Sequence, residues 1–217
     1  MKTRFGLFGL LIVLIFAFTA CTAPVAAPAG EGGEAAPVSC NEAEVMETDG
    51  AYDMGGCILR IAVENAYQPF NFIDTDSGTA VGYDYDIFGE ICSRANCTPD
   101  FVETSWDAMV AVMGGEGESD TFDVGADGIT ITEARGEHVD FSIPYIQSAQ
   151  VLLVTIDEDR FVQPAEFAEM TDLVIGTQLG TTNYDAAKEL VGEDRIVAYD
   201  QFGTAVQALI NGDVDAV

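Results

Sequence analysis

From residue 58 onward, short apolar runs alternate with stretches of helical spacing, and this alternation restricts the chain to an α/β fold with largely parallel sheets. Residues 58–63 (ILRIAV) read as a strand, and Tyr67-Gln68-Pro69-Phe70 as the turn after it. Residues 83–95 carry Ile87 and Ile91 at helical spacing. Pro99 is expected to break the chain before a short strand opening at 100–102. A second helix is predicted over 106–113, stopped by Gly114-Gly115, then a strand at 122–126. Thr132 is a candidate N-cap for the turn carrying Arg135. A long apolar strand is expected over 149–156, after which the alternation restarts. It gives a strand at 173–176, a helix at 182–190, a strand at 195–199, a helix at 202–210 and the start of a strand at 214–217. The restart near residue 150 divides the body into two lobes, 58–150 and 151–217. No short-period repeat of the solenoid kind is present.

Charge removes several function classes. Only 8 Lys and Arg face 37 Asp and Glu, a net charge of −29. Such a field repels phosphate backbones, so no nucleic-acid partner is expected, and no basic patch exists for anionic lipid. With 48% hydrophobic residues the chain nevertheless builds a real core.

The N-terminus sets the compartment. Lys2 and Arg4 precede an apolar run over 5–18, too short to span a bilayer and suited to the core of a signal peptide. The run ends in Phe18-Thr19-Ala20-Cys21, which resembles a bacterial lipobox and marks 1–20 as signal peptide and Cys21 as the lipidated first residue. The protein is therefore expected outside the cytoplasm, held to a membrane by that lipid. Residues 21–57 read as a tether, its first part Ala-, Pro-, Gly- and Glu-rich. Cys40, Cys57, Cys92 and Cys97 remain, an even number with three possible connectivities. One of them pairs Cys92 with Cys97 across a predicted helix end and leaves Cys40 with Cys57. One histidine and no close CxxC pair leave no metal site and no cofactor expected.

Six segments in order carry a resemblance: IAVENAYQPFNF, VGYDYDIFGEI, DGITITEAR, VDFSIPY, VIGTQLGTT and ALINGDVDAV. Together they are similar to the amino-acid-binding family of periplasmic solute-binding proteins (family 3 type) that serve ABC importers. The resemblance implies a type II two-lobe fold of mostly parallel sheets flanked by helices, with the second lobe and its return crossover incomplete at Val217. It implies an amino acid as the small-molecule ligand, a transporter permease as partner, and a monomer.

The chemistry is consistent with that. Arg135, in the T-x-T-x-x-R stretch 130–135, is suited to fork onto a carboxylate, with Thr130 and the Gly128 backbone adding hydrogen bonds. Thr181 and Thr182 open a helix whose free N–H groups suit the same carboxylate. Gln178 falls at a variable contact position. Tyr67 and Trp106 fall where the family has aromatic walls. Glu64 and Asp127 bring acids that favour a polar or cationic ligand side chain. The acidic loop 114–121 departs from the family as an insertion, and His138 has no role. The family's ammonium-binding aspartate is expected a few residues beyond Val217, and Asp215 belongs to a structural turn. The same fold also hosts periplasmic dehydratases and sensory modules of larger receptors, the two alternatives to a transport function.

Overall fold

The computed structural model describes residues 38–217 except Asp49 and Glu118. The expected signal peptide, Cys21 and the first part of the expected tether lie outside the described residues. The later part of the tether is not loose. Val38 and Ser39 run parallel to the first strand of the body, with Ile58 N–H donating to Val38 O and Cys40 N–H to Ile58 O, both at 2.9 Å. Strands β1 (Met46–Thr48) and β2 (Ala51–Asp53) form an antiparallel hairpin. A Cys40–Cys57 disulfide closes this region onto the body, and Cys92–Cys97 is the second bridge.

The central strand of the first lobe is β3 (Cys57–Val63). Its alternation supplies both faces. Leu59, Ile61 and Val63 pack with Cys40, Cys57, Cys92 and Ala126, while Ala62 packs on the other side with Trp106, Met109 and Met113. Full burial of Ile61 and Val63 stabilises by about 1.5–3 kcal/mol each. A small antiparallel meander follows: β4 (Ala66–Tyr67), β5 (Asn71–Ile73) and β6 (Ala80–Val81).

Helix α1 (Tyr83–Ala95) begins at Gly82, whose φ of +136° lets the backbone pass Phe70. A Cβ there would sit 2.2 Å from Phe70 O. The helix ends at Asn96 in the left-handed region, inside the loop that Cys92–Cys97 closes. Strand β7 (Cys97–Glu103) runs parallel to β3 and contains Pro99. The expected break does not occur because β7 is the outer strand of the sheet β7-β3-β8, where a missing N–H costs no ladder bond. Helix α2 (Trp106–Met113), β8 (Val124–Gly125) and the short α3 (Glu133–Gly136) complete the lobe.

The 149–156 run forms no strand. It has the apolar composition of one, but a strand needs a ladder partner. Here only Leu153 finds one, exchanging bonds with Val217 at 2.7 and 2.9 Å, and Val151 and Ile156 stay exposed. The second lobe holds α4 (Pro164–Glu169), β9 (Ile175–Gln178), α5 (Thr182–Val191), a 3₁₀ turn at Glu193–Arg195, β10 (Ile196–Tyr199) and α6 (Phe202–Asn211). Strands β9 and β10 are parallel, and Ala216 bridges Ile175 on the other side. Phe161, Phe167, Leu173, Ile175 and Ala187 form its core. Asp215 accepts from Val174 N–H and from Arg160, a structural role.

Candidate ligand-binding cleft

A cleft of about 650 Å³ lies where the carboxyl ends of β8 and β9 face each other, the crevice in which open parallel sheets place ligands. Tyr67, Trp106, Asp127, Gly128, Thr130 and Arg135 line it from the first lobe, and Gln178, Thr181 and Thr182 from the second. Glu64 is not on this wall. It borders a smaller cavity of about 450 Å³ behind, together with Asp107 and Asp200.

Arg135 is held from its own backbone upward. Thr132 caps α3 by accepting the Arg135 N–H at 3.2 Å. The guanidinium then donates to Thr130 O at 2.9 Å and across the cleft to Gly180 O at 3.1 Å, 5.6 Å from the centre of the Trp106 ring. Among the described residues it makes no ion pair, in a chain with 37 acids. Burial pushes its pKa down, yet a guanidinium stays charged. A half-buried cation with neutral partners and spare N–H donors is set up for an anion.

Opposite it, Gly180 turns with φ +69° into α5. The Thr181 hydroxyl is fully used locally, donating to Gln178 O at 2.7 Å and accepting from Tyr184 N–H at 3.1 Å. What this end of the helix offers a ligand is therefore its backbone: the N–H groups of Thr182 and Asn183 have no intrahelical acceptor and sit at the positive end of the dipole. The Thr182 hydroxyl lies 3.3 Å from that of Thr130, bridging the lobes.

The aromatic wall is larger than sequence reasoning found. Tyr67 stacks on Phe70 at 5.0 Å and meets the edge of Phe202 from α6 at 5.3 Å. Gly128, with φ +55°, passes so close that a Cβ would come within 3.2 Å of both Tyr67 and Phe70. Trp106 donates Nε1–H to Leu179 O at 3.0 Å, a further bond between lobes.

Asp127 is almost fully buried. Asn71 Nδ2 donates to its Oδ1 at 2.6 Å and to Asp84 Oδ2 at 3.0 Å. Asp84 also accepts from the Tyr145 hydroxyl at 2.9 Å. Burial, with the nearby charges of Glu64 and Asp84, pushes the Asp127 carboxyl up to about 7 against the hydrogen bond from Asn71. Phe70, Asn71, Asp84, Tyr145 and Phe202 were not singled out from sequence. Asn71 and Asp84 carried one usable signal, polar residues inside otherwise apolar segments. Glu64 is buried and accepts from Gln178 Nε2 at 3.0 and 3.3 Å, so the two form a strut between lobes, which the sequence reading did not anticipate.

The model of the bacterial extracellular solute-binding proteins, family 3, matches residues 59–189. The chain belongs to that family. It is 29% identical over 158 residues to an L-cystine-binding protein of Bacillus subtilis, covering 73% of this chain and 55% of the relative. It is 25% identical over 158 residues to a cyclohexadienyl dehydratase of Pseudomonas aeruginosa, covering 73% and 57%. A solved ancestral arginine-binding protein bound to arginine matches at 32% identity and a TM-score of 0.63, covering 74% of this chain and 68% of that one. The chain thus spans little more than half the length of these curated relatives. The type II periplasmic-binding-protein fold, two α/β lobes with a ligand cleft between them, is the fold of this family 3 chain.

Proposed function

We propose that this protein is the extracytoplasmic substrate-binding component of an amino-acid ABC importer, and that it takes a polar or basic amino acid by hinge closure. One observation carries the reading: Arg135, a cation without an acidic partner among the described residues, faces the N-terminus of α5 across the cleft. Both are positive, and Asp185 in the first turn of α5, the acid whose charge reaches Arg135, forms no ion pair with it, so an α-carboxylate is the group that satisfies them together. Closure brings α5 onto a carboxylate already held by Arg135. Tyr67, Phe70, Trp106 and Phe202 then supply the apolar walls and Asp127 the negative end. A lipid on Cys21, a permease partner and a monomeric state complete the proposal.

Calorimetric titration of the full-length protein with the natural amino acids tests it. At least one is expected to bind, with affinity lost in Arg135→Ala. No binding by any amino acid, or binding indifferent to Arg135→Ala, overturns the reading. A second reading, dehydration of a prephenate-like or arogenate-like acid, has one observation in its favour: a carboxyl in the cleft that titrates near 7 can serve as general acid. Incubation with prephenate and arogenate, followed by absorbance of the aromatic product, decides between them, and no turnover is expected.

A further inference from the structure

Asp127 ends β8 with 4% of its surface exposed and sits on the cleft wall. Its two oxygens differ. Oδ1 accepts from Asn71, whereas Oδ2 has no hydrogen-bond partner among the described residues. The Asn71 amide nitrogen is shared with Asp84, so a single NH₂ group separates two buried carboxyl groups. Asp84 has the richer set of donors, adding the Tyr145 hydroxyl. It is the better placed of the two to stay ionised.

The groups facing Asp127 come from every surrounding element of the first lobe. They are Glu64 at the end of β3, Tyr67 on β4, Asp84 at the head of α1 and Tyr145 in the segment leading to the second lobe. From the second lobe, uncharged Phe202 packs on Tyr67, and Gln178 holds Glu64. Arg135, the cation that shares the cleft, is engaged with Thr130 O and Gly180 O. Among the described residues, no positive charge offsets the cluster of acids.

We infer that Asp127 couples ligand capture to proton release: a positively charged ligand side chain binds at its free Oδ2 and drives the carboxyl proton into solvent. The inference rests on the amino-acid reading of the cleft. The balance is simple. A carboxylic acid and a cation become a carboxylate–cation pair, the O–H bond breaks, the proton goes to buffer and no electrons move. A ligand with a neutral side chain leaves the proton in place. Capture of cationic amino acids therefore weakens as pH falls, and capture of neutral ones does not.

The experiment is calorimetry of the full-length protein with L-arginine and L-glutamine as probes, in buffers of different ionisation enthalpy. With the carboxyl near 7, arginine is expected to release about half a proton at pH 7 and about a tenth of one at pH 8, below the titration of its own α-ammonium. Its Kd should be about 100-fold weaker at pH 5 than at pH 8, and Asp127→Asn should remove both effects. Arginine binding without proton exchange overturns the inference on the wild-type protein alone, whatever the variant does. Pronounced pH dependence persisting in Asp127→Asn overturns the assignment to Asp127. Capture of neutral amino acids alone overturns it too, while leaving the transport reading intact. Only failure of every amino acid brings down both.

Discussion

The acid cluster beside the cleft has a cost that can be measured without any ligand. Asp127 moves from an ordinary value of 3.8 to about 7 on folding. Below pH 4 the carboxyl is protonated in both the folded and unfolded chain, and folding neither gains nor loses from it. Between pH 4 and 7 the unfolded chain gives up the proton while the folded one keeps it. The folded state then loses about 1.4 kcal/mol per pH unit, up to about 4 kcal/mol above pH 7. Asp127→Asn removes the titration and keeps an acceptor for Asn71. Urea unfolding of wild type and variant at pH 4.5 and pH 8 isolates the effect, because the repulsion among the other acids is common to both. The variant is expected to be more stable than wild type by only about 1 kcal/mol at pH 4.5 and by about 4 kcal/mol at pH 8. A difference between the two proteins that is the same at both pH values refutes the burial argument.

Other expectations follow from single contacts. Trp106→Phe removes the donor to Leu179 O and leaves that carbonyl unpaired, so the contact between the lobes loses about 1–2 kcal/mol. Small-angle scattering should then find a larger radius of gyration without ligand, and calorimetry a weaker amino acid affinity. Gly82→Ala places a Cβ 2.2 Å from Phe70 O at a φ of +136° and should lower stability by more than about 2 kcal/mol in urea unfolding. Replacing Cys40 and Cys57 by serine opens a loop with a sequence separation of 17 and should cost about 3 kcal/mol by the same measurement.

Local signals were legible. Helices 83–95 and 106–113 and the Thr132 cap stand where spacing and capping chemistry placed them. Arg135 and Thr182 belong to contiguous motifs, and folding places both on the cleft wall. What eluded the sequence depends on distant partners. Asn71 and Asp127 are 56 residues apart, and nothing local to either says that one amide nitrogen serves two carboxyl groups. Glu64 and Gln178 are separated by 114 residues, so nothing local to either says that they bridge the lobes. The 149–156 run shows the converse, a composition suited to a strand whose hydrogen bonds depend on neighbours it cannot specify. Pro99 reads as a break only until the sheet order makes β7 an outer strand.

The Cys40–Cys57 bridge also decides how force enters the molecule. A pull on the backbone ahead of Val38 reaches Cys40 and crosses the sulfur atoms directly to Cys57, the first residue of β3. The intervening hairpin is bypassed and feels no tension. The load arrives instead at the strand flanked on both sides, by β7 and β8, where the ladder bonds resist together in shear. The cleft, at the far end of that strand, is shielded from whatever tugs on the N-terminal side.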